Sequence, residues 1–351
     1  MKILVTGGAG FIGSHIAEFY AKSGDKVSII DNLSRQKLLK KEVTDAEYNW
    51  NYLSQYDNIE FVKGDIRNVD ILNQVTDDID VIIHTAGQTA VTSSMTDPRT
   101  DFEINALGTF NILESARLSD KKPCVIFCST NKVYGNNVNK IPVSESKFRY
   151  AFKSPNYRFG IPETFSIDQC EHTPYGCSKL TADLYVQDYA VRQEINAGIF
   201  RMSCIYGPRQ FGVEDQGWVA WFCIATLLGY PINIYGDGKQ VRDVLYISDL
   251  ISAFNSFIKK KEKLTWGVYN LGGGSDFTLS LIELMDLLQE LTDKKSPILF
   301  DKWRPSDQKV YISDIRKAKK ELNWEPKISP KTGIGNIVEW IEDNMHLFKK
   351  S

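Results

Sequence analysis

The sequence has 351 residues, of which 42% are hydrophobic and 25% are charged, and its formal net charge at pH 7 is −2. Such a chain can bury a large core in one or two domains, and its balanced charge excludes a general attraction to nucleic acid or to an acidic membrane surface. It enters its first apolar run at once, without a signal peptide, and no run approaches the roughly 18 apolar residues of a membrane span. We therefore expect a cytoplasmic protein with no nucleic-acid and no membrane partner.

The six cysteines form no CxxC pair, and the four histidines are too scattered for recognisable metal-ligand spacing. We expect reduced cysteines and no metal. Cys124 and Cys128 flank an apolar run, which favours buried thiols.

Short runs rich in Val and Ile alternate with amphipathic stretches over the first part of the chain. Such runs are typical of strands buried on both faces, and they lie at 2–6, 26–30, 59–63, 80–84, 124–128 and 197–202. The stretches between them predict helices at 11–23, 68–76, 99–118 and 174–195. The alternation indicates an α/β fold of the Rossmann type, a doubly wound parallel sheet with helices on both faces.

Beyond about residue 205 the pattern loosens into Gly-rich loops and helices at 278–292 and 333–345. We divide the chain into a first domain, 1–204, and a smaller C-terminal lobe, 205–351, some of whose segments return to the first domain. Two polar and aromatic inserts, 33–58 and 136–172, are longer than ordinary connections and are therefore more often functional than idle.

The stretch TGGAGFIGSH follows the first strand and opens the first helix, with Gly7, Gly10 and Gly13 at GxxGxxG spacing. Glycines there allow a tight turn and a close approach of the backbone to a pyrophosphate at the helix N-terminus. Asp31 ends the second strand, where its carboxylate can accept hydrogen bonds from ribose hydroxyls and would repel a 2′-phosphate. This favours NAD over NADP, although Arg35 lies nearby.

Asp65 follows the third strand in KGDIRN. It is placed either to contact an adenine or to cap the next helix, and the sequence leaves both interpretations open.

TPYGCSK, residues 173–179, places Tyr175 four positions before Lys179. On a helix the two share one face, and an ammonium beside a phenol would lower the phenol pKa and favour a general base. Thr130 follows the fifth strand at the carboxyl edge of the sheet, where ligands bind in open α/β folds. With NAD accepting hydride, Thr130 would bond the reacting sugar hydroxyl, Tyr175 would remove its proton, and Lys179 would hold the nicotinamide ribose.

The chain resembles the extended short-chain dehydrogenase/reductase superfamily of nucleotide-sugar epimerases and dehydratases over nearly its whole length. The motifs that carry the resemblance are GGAGFIG, DNLSR, GDIRN, HTAGQ, DFEINALGT, the Tyr–Lys pair, RMSCIYGPRQ, GKQVRDVLYISD, NLGGG and RPSDQ. The resemblance implies that the first domain binds NAD and that the C-terminal lobe binds a nucleotide-diphosphate sugar. It implies a homodimer or homotetramer that pairs through the helices near 99–118 and 174–195.

The catalytic residues implied are Thr130, Tyr175 and Lys179. The cofactor-binding residues implied are Gly7, Gly10, Phe11, Ile12, Gly13, Asp31, Asn32, Ser34, Arg35, Asp65, Ile66, Ala86, Gly87, Gln88, Asn105, Ser129, Tyr175, Lys179 and Met202. The substrate-binding residues implied are Gln88, Thr130, Asn131, Ser203, Cys204, Arg209, Gln216, Arg242, Arg304 and Asp307.

Asn131 and Lys132 stand where the superfamily's 4,6-dehydratases carry an Asp–Glu pair, which disfavours elimination of water. Cys204 stands where UDP-hexose 4-epimerases tend to have Asn. TNKVYG, PYGCSK, GPRQFGVEDQGWVAWFC and GDGKQVRD resemble most closely the branch that epimerises CDP-paratose and CDP-tyvelose at C2, enzymes of lipopolysaccharide biosynthesis. A 4-epimerase of a UDP-hexose and a non-catalytic dinucleotide sensor remain as alternatives, and the sequence does not separate cytidine from uridine.

Trp218 and Trp221 could stack on a base or belong to the core, with equal weight. The segment 144–172 contains two arginines and several aromatic residues, and we hypothesise that it covers the sugar and keeps water from a keto intermediate.

Overall fold

A computed structural model describes residues 1–39, 45–192, 194–304 and 306–348. Part of the insert 33–58 lies outside these residues. The strands in chain order are β1 (Lys2–Thr6), β2 (Lys26–Asp31), β3 (Ile59–Lys63), β4 (Val81–His84), β5 (Cys124–Thr130), β6 (Val143–Glu145), β7 (Tyr150–Phe152), β8 (Ala197–Met202), β9 (Cys204–Tyr206), β10 (Ile232–Tyr235), β11 (Val241–Tyr246), β12 (Trp266–Leu271), β13 (Thr278–Ser280), β14 (Ile298–Asp301) and β15 (Val310–Tyr311).

The α-helices are α1 (Phe11–Lys22), α2 (Arg35–Leu39), α3 (Asp45–Leu53), α4 (Val69–Thr76), α5 (Val91–Thr96), α6 (Pro98–Phe102), α7 (Gly108–Leu118), α8 (Pro174–Val191), α9 (Trp218–Leu228), α10 (Ile247–Ile258), α11 (Lys261–Leu264), α12 (Leu281–Thr292), α13 (Arg316–Leu322) and α14 (Pro330–Asp343). A π-helical turn, Glu103–Leu107, joins α6 to α7, and 3₁₀ segments lie at Asn131–Lys140, Pro155–Tyr157 and Met345–Leu347. None of the helices in the described ranges has the length and apolar character to cross a membrane.

The main sheet confirms the predicted Rossmann-type fold. In the described part of the chain it contains seven strands in the order β12-β8-β5-β4-β1-β2-β3, all parallel. Thr6 pairs with Ile30 and with His84, so the carboxyl ends of the three central strands lie at the same edge. The loops after these strands therefore meet there, as in other open α/β sheets.

Both faces of the main sheet are covered, which explains why its strands are continuous apolar runs. Ile3 and Val5 are buried on the face covered by α1, α10 and α13. Leu4 is buried on the opposite face, under α4, α7 and α8. Alternate residues of a strand point to opposite faces, so this one strand contributes to both halves of the core.

The C-terminal lobe has its own core. Strand β11 pairs with β9, β13 and β15, and β10 pairs with β14. Helices α9, α12 and α14 pack together over buried residues such as Phe222, Leu284 and Ile337. Strand β12 leaves the lobe and pairs with β8 at the edge of the main sheet, so this later segment returns to the first domain.

Candidate active site

The turn between β1 and α1 is the tightest part of the site. Gly7 has φ +71°, and a Cβ on it would lie 2.7 Å from the Ala86 nitrogen. A Cβ on Gly13 would lie 2.1 Å from the Gly7 carbonyl oxygen, so the first turn of α1 packs directly on the loop. Gly10 is the residue that precedes α1. The helix N-terminus is thus held open at the carboxyl edge of the sheet, as a pyrophosphate requires.

Asp31 lies at the end of β2 with its carboxylate fixed by the backbone. It accepts hydrogen bonds from the Ala9 nitrogen at 3.0 Å and from the Leu33 nitrogen at 2.8 Å. The same carboxylate is exposed to the cavity described next, where a ribose hydroxyl could donate to it.

A cavity of about 370 Å³ runs from the glycine turn to Tyr175. Of the predicted residues it is lined by Gly7, Gly10, Phe11, Ile12, Gly13, Asp31, Asn32, Ser34, Arg35, Asp65, Ile66, Ala86, Gly87, Gln88, Ser129, Thr130, Tyr175, Met202, Ser203, Cys204 and Gln216. A dinucleotide needs a tight glycine turn, a helix N-terminus and a carboxylate at the end of the second strand. The site has all three, with no room for a Cβ at Gly7 or Gly13. These residues therefore fit NAD.

Asp65 also lines the cavity, and the cap interpretation of this residue is wrong. The residue that caps α4 is Asn68, whose side chain accepts from the Asp70 and Ile71 nitrogens. The Asp65 carboxylate is instead bonded by Arg67 and, at 2.8 Å, by Asn32, and the hydrogen bond from Arg67 is the main cause that lowers its pKa to about 2.

Tyr175 and Lys179 share the first turns of α8, where Thr173 caps the helix and Pro174 opens it. We expected the ammonium to lower the phenol pKa. The structure differs: burial raises the pKa of Tyr175 to about 12, and the polar Thr130 hydroxyl offsets this only in part. The Lys179 ammonium lies 4.3 Å from the centre of the Phe127 ring, and burial lowers its pKa to about 8.

Thr130 connects the strand edge to the catalytic helix. Its hydroxyl oxygen accepts the Lys132 nitrogen at 3.2 Å and so caps the 3₁₀ segment that follows β5. The three predicted catalytic residues are all buried; Thr130 and Tyr175 line the cavity, whereas Lys179 is outside its lining.

Asp101 is a buried residue that the sequence did not indicate. Its carboxylate accepts from Ser178 at 2.5 Å, from Gln88 at 2.8 Å and from Asn105 at 3.1 Å, and burial raises its pKa. Asn105 also exchanges hydrogen bonds with the Gln88 backbone from the π-helical turn, a feature common at functional sites. This network fixes α8 against the loop after β4, which positions Tyr175 indirectly. Asn105 itself does not line the cavity.

Ser129 lines the cavity, but its hydroxyl donates to Asp183 at 2.6 Å. The Asp183 carboxylate is fully buried and forms an ion pair with Arg201 at 3.0 Å. The hydroxyl therefore supports the position of α8 as well as facing the cofactor region.

The predicted substrate residues fall into two groups. Ser203, Cys204 and Gln216 line the cavity together with Gln88 and Thr130, whereas Asn131, Arg209, Arg242, Arg304 and Asp307 are outside its lining. Arg209 is buried and forms an ion pair with Glu18 at 2.6 Å. Arg242 and Asp307 are paired with each other at 2.5 Å, and Arg304 with Asp215 at 2.9 Å.

The two tryptophans have different surroundings, because only Trp218 of the two lines the cavity. Trp218 lines the cavity and donates its indole N–H to the Cys204 sulfur at 3.2 Å, whereas Trp221 packs against the core of the C-terminal lobe. Further lining residues that the sequence did not indicate are Ile30, Leu38, Gly64, Thr85, Thr89, Ile104, Ile205, Gln210, Phe211, Gly217 and Val219. Most are small or apolar residues without a local signature.

The segment 144–172 does not have the position expected of a lid. No residue of it lines the cavity. Arg149 bonds Glu283 at 2.5 Å and the Tyr150 nitrogen donates to the Lys239 carbonyl at 2.9 Å, which ties the β6–β7 hairpin to the C-terminal lobe. The physical reason is charge pairing with α12 and backbone pairing with the loop before β11.

The six thiols are unpaired, and Cys124 and Cys128 are buried as expected. Across the described ranges, no three His, Cys, Asp or Glu side chains come together as a candidate metal site.

A sequence profile of the family described as GDP-mannose 4,6 dehydratase matches residues 4–337. The chain is 41% identical over 348 residues to CDP-paratose 2-epimerase from Salmonella typhi, covering 97% of this chain and 99% of that protein. It is 31% identical over 351 residues to UDP-glucuronate 4-epimerase from Thermodesulfobacterium geofontis, covering 99% and 98%.

Among solved structures, the fold is similar to UDP-glucuronic acid 4-epimerase from Bacillus cereus in complex with UDP-glucuronic acid and NAD. The TM-score is 0.78 at 28% identity, covering 98% of this chain and 100% of that chain. The chain therefore belongs to the GDP-mannose 4,6-dehydratase-like family of extended short-chain dehydrogenases/reductases, among its NAD-dependent nucleotide-sugar epimerases.

Proposed function

We propose that this epimerase inverts C2 of a CDP-linked deoxyhexose of the paratose and tyvelose type, through a transient 2-keto sugar. The observation that carries the proposal is that Thr130 and Tyr175 line the same cavity and that Thr130 is followed by Asn131 and Lys132 and not by carboxylates. The Asn131 amide does not titrate, so the two residues together cannot supply both the general acid and the general base of a dehydration. The similarity to CDP-paratose 2-epimerase supports the choice of sugar and nucleotide.

The chemistry follows from the residues at the sheet edge. Thr130 bonds the C2 hydroxyl and holds it against Tyr175, whose phenolate form takes the hydroxyl proton as the C2–H bond breaks. NAD, when bound, would supply the acceptor and then the donor for the hydride at C2, so that no net redox change would occur. Tyr175 gives the proton back when C2 is reduced on the opposite face of the sugar. Because the cofactor is regenerated within each turnover, we expect it to stay bound.

In this proposal the residues keep the roles that the resemblance assigns to them. Lys179 holds the nicotinamide ribose, and Asp31 holds the adenosine ribose. Gln88, Ser203, Cys204 and Gln216 contact the substrate from the cavity wall. Asn131, Arg209, Arg242, Arg304 and Asp307 are outside the lining of the cavity, and the three arginines are held in the ion pairs described above.

A 4-epimerase of a UDP-hexose is the second candidate, supported by the similarity to UDP-glucuronate 4-epimerase. The same Thr130, Tyr175 and Lys179 would act, and the sugar carbon held against Tyr175 would differ. A dinucleotide sensor without catalysis would not depend on the Tyr175 hydroxyl.

We also propose that the protein is a cytoplasmic homodimer. We propose further that it contributes a nucleotide sugar to the biosynthesis of lipopolysaccharide. The helices expected to pair between subunits carry exposed apolar side chains, with Phe102 53% exposed, Leu107 43%, Leu184 49% and Tyr185 44%. Replacing Leu184 with Glu should shift the mass measured by light scattering to that of one chain.

The function is tested by proton NMR in deuterated water with CDP-paratose and no added NAD. Conversion to CDP-tyvelose without deuterium at C2 is the expected result, because the hydride returns from the retained cofactor. Deuterium at C2 would contradict the mechanism, and conversion of UDP-hexoses alone would favour the second candidate. Tyr175→Phe should lower turnover by about 10²- to 10⁴-fold, while Tyr230→Phe serves as the matched control. An unchanged rate would contradict the role of Tyr175 as the base, and a wild type that converts no nucleotide sugar would favour the sensor.

A further inference from the structure

Lys132 is a cation beside the catalytic pair with no role so far. It is the second residue after Thr130, and its backbone nitrogen donates to the hydroxyl of Thr130, which lines the cavity together with Tyr175. A Cβ on Gly176 would lie 3.0 Å from the Lys132 carbonyl oxygen, so the residue also adjoins the first turn of the catalytic helix. The Lys132 backbone is thus held between the ends of β5 and α8.

The Lys132 side chain is partly buried and has no bonded partner. Within the described ranges no hydrogen bond or ion pair reaches its ammonium. Burial has the largest influence and lowers the pKa of the Lys132 ammonium. Arg242 lowers this pKa further, whereas Asp307 and Cys204 raise it. Cys204, which lines the cavity, and the Arg242–Asp307 pair are thus the groups that act on the Lys132 ammonium, while Lys132 itself is outside the cavity lining.

The charges around Lys132 leave a positive excess. The Asp307 carboxylate bonds Arg242 at 2.5 Å and the Gln308 nitrogen at 3.0 Å, so it is already occupied by another cation. Two cations and one carboxylate then face the space behind Cys204. A partly buried ammonium that lies among more cations than carboxylates favours a ligand that supplies the counter-charge, and an oxygen anion is the natural partner of an ammonium.

The chemistry of C2 epimerisation provides such an anion. The diphosphate of a nucleotide sugar is attached at C1, which is bonded directly to C2. When C2 is held against Tyr175, the phosphate on C1 must therefore lie beside the catalytic pair. C4 is on the opposite side of the sugar ring, so the phosphate lies farther from this pair in a 4-epimerase.

We propose that Lys132 binds the sugar-linked phosphate and thereby presents C2, and not C4, to Tyr175. The inference rests on the proposed function for the identity of the carbon, but its central contact can be measured without turnover. Arg242 would share the phosphate, with Asp307 keeping the guanidinium in place.

The test compares CDP with CMP, because only CDP contains the second phosphate, which in a CDP-sugar is bonded to C1 of the sugar. Affinities are measured by calorimetry on the purified holoenzyme. Lys132→Met should weaken CDP binding by about 10- to 100-fold and CMP binding by less than about twofold. Lys132→Arg should restore most of the CDP affinity. The exposed Lys140 lies at the end of the same 3₁₀ segment, and Lys140→Met should change neither affinity.

An equal loss for CDP and CMP would overturn the proposal, because a purely structural role would affect both nucleotides. An unchanged CDP affinity, or a wild type that does not prefer the diphosphate with either cytidine or uridine nucleotides, would also overturn it. The two proposals can fail separately. If the wild type does not convert CDP-paratose but the diphosphate preference depends on Lys132, the C2 function fails and the phosphate contact stands.

Discussion

The Arg35 guanidinium donates to the Gln216 side-chain oxygen at 2.8 Å, and both residues line the cavity. Arg35 begins α2 beside the end of β2, whereas Gln216 belongs to the loop that precedes α9 in the C-terminal lobe. Gln216 also donates to Thr89, in the loop after β4. The contact therefore links the two sides of the cavity across the region that fits the dinucleotide.

We predict that Gln216→Ala weakens cofactor retention. A hydrogen bond to a charged group contributes about 1.5–3 kcal/mol. The Arg35–Gln216 pair is partly exposed, so we expect the lower end of this range, which corresponds to an increase of about tenfold in the rate of NAD release. The measurement is the NAD content of the purified enzyme before and after extensive dialysis. Gln289→Ala on the exposed side of α12 is the control. Equal NAD content in both variants would show that the Arg35–Gln216 contact does not retain the cofactor.

The pH dependence of kcat/KM should show a bend at about pH 8. Tyr175 has its pKa raised to about 12, so its phenolate fraction grows tenfold for each pH unit up to that value. Lys179 has its pKa lowered to about 8, so its charged fraction falls tenfold for each unit above it. The product of the two fractions rises with unit slope to about pH 8 and is then constant.

Lys179→Arg separates the two groups, because a guanidinium keeps its charge over this range. If the bend belongs to Lys179, the profile of this variant should continue to rise beyond pH 8. A bend that persists in the variant would assign it to another group.

The sequence predicts those parts of the fold that depend on the pattern of residues within one short segment of the chain. The inner strands of the main sheet are buried on both faces, so β1 and β8 appear as apolar runs with the observed bounds. The exposed strand β14 was not predicted, because all four of its residues face solvent and its pairing with β10 joins distant segments.

The same distinction holds in the site. Gly13 and Asp31 are identified by their places after β1 and at the end of β2. The role of Asp101 depends on Ser178, which is 77 positions away, and the pairing of Arg209 with Glu18 spans 191 positions. No local pattern contains such contacts, which arise only when distant segments of the chain pack together.

Removing the Asp183 carboxylate should destabilise the protein strongly. Asp183 is fully buried and Arg201 is 5% exposed, and two hydrogen bonds of 3.0 and 3.1 Å join them. Asp183→Ala would leave the guanidinium charged and unpaired inside the protein, which costs about 3–5 kcal/mol. The measurement is the free energy of unfolding in urea.

Asp188→Ala is the matched control on the same helix. Asp188 forms an exposed ion pair with Arg192 at 2.9 Å, and such pairs contribute about 0–1 kcal/mol. Similar losses for the two variants would mean that burial does not set the strength of the Asp183–Arg201 pair.

Gly13→Ala should abolish NAD binding while leaving most of the fold intact. The added Cβ would lie 2.1 Å from the Gly7 carbonyl oxygen and 2.9 Å from the Thr85 hydroxyl oxygen, so the glycine turn must move away from α1. The helix N-terminus would then no longer face the pyrophosphate position. Gly335→Ala in α14 is the control, since a Cβ there meets no atom within 4 Å and should stabilise the helix by up to about 1 kcal/mol. Fluorescence titration of the apoprotein with NADH measures the effect, and wild-type affinity in Gly13→Ala would show that the cofactor does not depend on this turn.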